Sequence, residues 1–148
     1  YLKFVTHEDG QIKAMADKLM EVYSDPEDAA NCILAFVQTG FPYMPEDREY
    51  WRYPVETLVD NGDCEDKAVL FAAIMKAAEY DVAIIVFDNH VMAGVVLWNE
   101  PKYGIQEYIH WFTSDGKRYY TCETTAEGWR VGDLPEEYHE ESAYVLVI

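Results

Sequence analysis

Cys64 stands in the run Gly62-Asp63-Cys64-Glu65-Asp66, directly ahead of a long apolar stretch. Gly-Asp before such a stretch marks a helix start, with Asp63 as the cap and Asp66 in the capping-box position. The thiol would then sit among unpaired backbone N–H groups at the positive end of a helix dipole, a setting that favours the thiolate. The same N–H groups, that of Cys64 first, could hold an oxyanion. Asp63, Glu65 and Asp66 oppose this, because like charge disfavours a thiolate. An imidazolium is the natural compensation. Of His7, His90, His110 and His139, only His90 begins a strand directly after the strand that follows the Cys64 helix. A third group must orient that imidazole, and the acid ending the next suitable strand is Glu123, in Tyr119-Tyr120-Thr121-Cys122-Glu123-Thr124-Thr125, with Asp88 and Asp115 as substitutes. Gln38 closes a helix and is the side-chain candidate for the oxyanion site, while Trp51, with Tyr43, Tyr50 and Tyr53, either walls a substrate groove or packs over the Cys64 helix.

The elements that must position these groups follow from periodicity. Apolar residues at helical spacing predict a helix over 8–23 and, after Ser24-Asp25-Pro26-Glu27, a second over 26–38. Residues 41–54 carry three prolines and four tyrosine or tryptophan residues with no stable period, and predict an ordered aromatic loop. The Cys64 helix runs to about residue 79, and its apolar positions from Ala68 to Ala78 cover nearly the whole circumference, so it is expected to be buried and central. Short β-branched and aromatic stretches at 82–87, 90–98, 105–112, 117–123 and 143–148 then predict strands. Helices first and strands afterwards give an α+β class, with the N-terminal helices and the central Cys64 helix packed on an antiparallel sheet.

Residues 1–148 suffice for one domain with its own core. The start at Tyr1 suggests a piece excised from a longer protein. Three widely spaced cysteines without a Cys-x-x-Cys pair argue against a disulfide framework and a zinc knuckle, and Cys32 and Cys122 read as buried structure. A metal site built from Cys64, His90 and Glu123 is disfavoured because only one thiolate is at hand. With 28 acidic against 11 basic side chains, the net charge of −17 repels phosphate backbones and anionic headgroups, so nucleic acid is excluded as a partner. A basic peptide or a divalent cation would be attracted. Arg48 and Arg52, two of the few cations, lie near the acidic motif in sequence and could neutralise it. No apolar run approaches the ~20 residues of a spanning helix, so direct membrane insertion by this domain is not expected. Location and oligomeric state stay open, the extracytoplasmic part of a larger protein being one reading.

In order and type, Cys64, His90 and Glu123 resemble the Cys, His and acid positions of the transglutaminase-like superfamily of papain-type cysteine enzymes. Tyr53-Pro54-Val55-Glu56-Thr57-Leu58 leading into Gly62-Asp63-Cys64-Glu65-Asp66 is similar to the nucleophile helix of microbial transglutaminase-like cysteine peptidases. Asp88-Asn89-His90-Val91 resembles their histidine strand, and residues 120–125 resemble a strand ending in Asp-x-Thr, with Glu123 in place of the aspartate. The segment 101–118 is a longer excursion than compact members have. The resemblance implies a transglutaminase-like, papain-like core and thiol-dependent hydrolysis of a peptide or amide bond through a Cys64 thioester, with a protein or peptide as substrate. Transglutaminase-type acyl transfer and an inactive interaction module are the alternatives. No cofactor is required on this reading. The resemblance also implies a calcium site, since some secreted bacterial relatives bind calcium at a comparable place, with Asp63 and Glu65 as the candidate ligands.

Overall fold

The structure is a computed structural model that describes residues 1–47 and 50–148; Arg48 lies outside the described residues. Asp9 caps helix α1 (Gly10–Met20), its carboxylate accepting from the N–H groups of Gln11 and Ile12 at 2.9 and 3.3 Å. Asp25 caps helix α2 (Pro26–Gly40) in the same way, and Pro26 occupies the first turn, where its missing N–H costs nothing. These two helices match the sequence reading, with α1 shorter at both ends. The loop expected over 41–54 ends one residue earlier, because Pro54 opens a short helix α3 (Pro54–Asp60). Pro54 is its first residue and Glu56 accepts from the Tyr53 N–H at 2.8 Å, so the proline is a start signal here rather than a breaker. Asn61 stops α3 with a positive φ of 62°, which asparagine tolerates.

Helix α4 (Cys64–Ala77) is the centre of the fold, with every residue from Asp66 to Met75 buried. It lies against strands β1 (Val82–Val86) and β2 (Val91–Val95), while α1, α2 and α3 pack on its other sides. This burial on all sides is what the unbroken apolar circumference of α4 demands. The other strands are β3 (Trp111–Ser114), β4 (Lys117–Cys122) and β5 (Tyr144–Val147), and the five form one antiparallel sheet in the order β3-β4-β2-β1-β5. The α+β class and the helix-on-antiparallel-sheet architecture are therefore as read.

The strand expected over 105–112 is corrected to Trp111–Ser114. Residues Ile105 and Gln106 turn their N–H groups onto the buried Asp133 carboxylate, at 3.0 and 3.2 Å, rather than into a ladder. In the sheet Ala93 lies opposite Cys122 and Gly94 opposite Thr121. Continued past the strand ends, that ladder carries His90 and Glu123 to the same end of the sheet, where α4 begins. Among the described residues no helix is long and apolar enough to cross a membrane.

Candidate functional site

The start of α4 is fixed by close packing. A Cβ on Gly62 would lie 2.4 Å from the Asp66 Cβ, so only glycine fits there. The buried Asp66 carboxylate accepts from the Arg52 backbone N–H at 2.8 Å and from its guanidinium at 2.7 Å, and the same guanidinium pairs with Glu46. Arg52 thus neutralises Asp66 and Glu46; among the described contacts it does not reach the thiol. Asp63 caps α4 by accepting from the Asp66 N–H at 3.5 Å.

Cys64 is the first residue of α4 and half-buried. Its Sγ lies 3.1 Å from Glu65 Oε2, to which the thiol donates. Burial first, then that hydrogen bond and the charges of Glu65 and Asp63, push the thiol up to about 12; the Val91 N–H, which faces the sulfur, works in the other direction. The helix terminus therefore does not by itself yield a thiolate here; of the three carboxylates set against it in the sequence, Glu65 and Asp63 act on the thiol, while Asp66 is paired with Arg52. Asp63 itself is raised to about 7, by burial and by the charges of Glu65 and Asp66.

His90 ends the β1–β2 turn, which its carbonyl closes by accepting from the Phe87 N–H at 2.8 Å. It lines, with Cys64, Glu65, Asp88 and Val91, a cleft of about 240 Å³. Its Nε2 lies 2.6 Å from Glu123 Oε2. The ring stacks on Tyr138 with centroids 5.0 Å apart and planes 12° from parallel. Glu123 is buried and held at each acceptor: Oε1 takes the Thr125 N–H at 2.8 Å and its hydroxyl at 2.7 Å. Burial works to raise this carboxyl, but the His90 and Thr125 hydrogen bonds and the His90 charge outweigh it and hold the group below the usual range. The extra methylene of glutamate is thus accommodated. Among the described contacts neither Asp88 nor Asp115, which sits in the β3–β4 turn, takes its place.

Gln38 is a correction. Its side-chain amide donates to the carbonyls of Glu123 and Trp129, at 2.7 and 3.0 Å, so both N–H groups are already occupied by backbone carbonyls rather than left for an oxyanion. Trp51 packs its ring against Tyr1 and Phe4, and Tyr1 rather than Trp51 lines the Cys64 cleft. Tyr43 does reach the site: its backbone bridges to Gly62, and it faces His90, Glu123 and Trp129 across a second cavity of about 490 Å³. Burial and the surrounding charges of Cys64, Asp63, Glu65 and Glu123 raise its phenol, which keeps it a donor.

Two contributors went unnoticed in the sequence. Tyr138 sits in an acidic segment without periodicity, and nothing local announces its stacking on His90. Lys67 could have been found, as a cation directly ahead of the apolar run of α4: it is fully buried, and its ammonium donates to the carbonyls of Gln38 and Phe41 at 3.2 and 2.7 Å. It ties the end of α2, and through Gln38 the Glu123 backbone, to the Cys64 helix.

Residues 13–116 match the family model of the transglutaminase-like superfamily core. The chain belongs to the transglutaminase-like superfamily. That superfamily covers cysteine peptidases and acyl transferases. Within this superfamily domain the matched stretch contains Cys64 and His90 and ends before Glu123, whose link to His90 rests on the geometry alone. No curated protein and no solved structure matches the chain.

Proposed function

We propose that this domain hydrolyses a peptide or amide bond of a protein or peptide substrate, with Cys64 as nucleophile, His90 as acid and base, and Glu123 as the group that orients His90. The observation that carries this reading is the 2.6 Å contact between His90 Nε2 and Glu123 Oε2, made by a histidine that also lines the cleft of Cys64. Because Glu123 occupies Nε2, Nδ1 is the nitrogen that takes the thiol proton. The thiolate attacks the carbonyl carbon, and the oxyanion is held by the Cys64 N–H, which at the first position of α4 has no helical acceptor, and by the Tyr43 phenol. Collapse breaks the C–N bond, His90 returns its proton to the leaving amine, and a thioester remains. Water, deprotonated by His90, then releases the acid and regenerates the thiol. A primary amine in place of water gives acyl transfer by the same steps.

Asp63 and Glu65 fit a hard divalent cation such as calcium, since their oxygens and the Cys64 sulfur lie within 4.8 Å of one another and the two carboxylates repel. Two carboxylates provide part of the roughly six to eight oxygens calcium takes, and the sulfur is not a ligand it prefers. A bound cation would supply positive charge beside the thiol.

The competing reading is an interaction module that keeps the fold, favoured by the thiol being pushed up to about 12. Alkylation by iodoacetamide separates the two. A working site reacts at Cys64 faster than a free thiol and slows at least about tenfold in His90→Ala, roughly the loss of one general base. New peptide termini in a protein mixture, absent with Cys64→Ser, report hydrolysis; incorporation of a labelled amine reports transfer. A Cys64 rate equal to that of a free thiol and indifferent to His90→Ala would leave the interaction module standing.

A further inference from the structure

His90 lines two clefts: the one it shares with Cys64, and the cavity of about 490 Å³ that the steps above enter only at Tyr43 and Glu123. The larger one has aromatic walls, with Tyr43, Trp129 and Tyr138 among its lining residues. Tyr138 is already stacked on His90 and packed against Phe87, whereas the rings of Tyr43 and Trp129 meet no aromatic or cationic group among the described residues. Two carboxylates line the cavity, Glu123 and Glu137. Glu123 is engaged with His90 and Thr125. Glu137, exposed in the short 3₁₀ turn Glu136–Tyr138, has no hydrogen bond or ion pair among the described residues. The same described residues place no lysine or arginine on the lining. The uncompensated charge is felt by a phenol: burial first, then Glu137, Glu123 and Glu141, push Tyr138 up to about 12. The two cations packed around the α4 start are held elsewhere, Arg52 by Asp66 and Glu46 and Lys67 by the carbonyls of Gln38 and Phe41.

Aromatic faces beside a free carboxylate attract a cation, and in this same chain the Arg118 guanidinium lies 4.4 Å over the Trp111 ring. A metal ion does not suit the cavity, because one free carboxylate falls far short of the roughly six to eight oxygens that calcium takes. A neutral apolar side chain would strip water from Glu137 and leave it unpaired. A guanidinium meets both needs. Its plane stacks on rings and its fork of N–H donors matches a carboxylate, whereas an ammonium is a compact, strongly hydrated point charge.

We propose that this cavity takes an arginine side chain of a peptide, stacked on Trp129 and Tyr43 and paired with Glu137. With the guanidinium there, the peptide backbone passes His90 on its way to Cys64, so the arginine neighbours the bond that is cleaved. That placement rests on the function proposed above; the binding does not. The net charge of −17 draws such a peptide in and repels an acidic one.

The test uses the full chain carrying Cys64→Ser, so that no turnover intervenes, and two blocked pentapeptides: Ala-Ala-Arg-Ala-Ala and its citrulline counterpart, which has the shape of arginine without the charge. Calorimetry should give the arginine peptide a Kd at least about tenfold lower, the combined worth of a cation–π contact and a charge-assisted hydrogen bond. The Trp129 indole N–H resonance should shift on binding, and that of Trp98, 93% exposed and lining other clefts, should not. Glu137→Gln, an exposed substitution, should bring the two peptides to within about threefold. Glu100→Gln, which removes the same charge from a different cleft, should leave the preference intact. No measurable binding, equal Kd values for the two peptides, a shift at Trp98 without one at Trp129, or equal effects of the two glutamate substitutions would each overturn the proposal. Alkylation of Cys64 in the unsubstituted chain decides the hydrolase reading separately. A fast Cys64 with equal Kd values removes the arginine site alone. A Cys64 no faster than a free thiol, with the tenfold preference present, removes hydrolysis and leaves the arginine site standing.

Discussion

A carboxylate 3.1 Å from a thiol both accepts its S–H and repels the charge that losing the proton would leave, so Glu65 holds Cys64 in its protonated form while the Val91 N–H works the other way. Removing the charge while keeping the shape should release the thiol. In Glu65→Gln the alkylation rate of Cys64 at neutral pH should rise about tenfold or more, one unit of pKa corresponding to a factor of ten in thiolate. An unchanged rate would mean that burial alone sets the thiol. The triad candidates could be read from residue type and order because Gly-Asp-Cys at a helix start and a histidine at a strand start are local features. The Gln38 donors could not. Their acceptors, the carbonyls of Glu123 and Trp129, lie 85 and 91 residues away, and no local pattern tells which way a polar helix end will turn.

At the scale of elements, the site depends on how closely α4, the end of α2 and the end of β4 are clamped together. Helices α1, α2 and α4 and four of the five strands were legible because burial imposes a period of 3.6 or 2 on their residues. Helix α3 was hidden by the prolines before it, and the 105–112 segment by β-favouring residues whose backbone partner is a distant buried aspartate. Gly62→Ala tests the α3–α4 corner: the new Cβ collides with the Asp66 Cβ, and overpacking of this kind costs about 1–3 kcal/mol, a Tm lowered by roughly 3–10 °C. Gln38→Leu tests the clamp on the acid. Leaving the Glu123 and Trp129 carbonyls unpaired should cost about 2 kcal/mol and lower kcat more than KM, because Glu123 is displaced from His90 while the cleft wall stays. Equal losses in kcat and stability-corrected amount of folded protein, with His90 still paired, would reduce Gln38 to a structural residue.

For the whole molecule, the −17 charge and the crowded carboxylates at the α4 start make stability depend on pH in a direction that can be worked out. Folded Asp63 keeps its proton up to about 7, whereas the unfolded chain releases it near 4. Between those values the folded state holds more protons, so this group's contribution falls as pH rises through the window. Glu123 has the opposite sign: its lowered folded value stabilises the fold above the ordinary glutamate range and is lost only as pH drops below it. The Tm should therefore be higher near pH 5 than at pH 8. Asp63→Asn, which still caps the helix, should flatten that drop. A cation held by Asp63 and Glu65 would remove the same repulsion, so at pH 8 calcium should raise the wild-type Tm, with a gain approaching about 2.7 kcal/mol at a hundredfold excess over Kd. In Asp63→Asn combined with Glu65→Gln the calcium response should vanish while the fold persists. A wild-type Tm that ignores calcium, in a chain whose pH 5 to pH 8 drop is nevertheless abolished by Asp63→Asn, would assign the carboxylate pair to thiol control alone and remove calcium from the site.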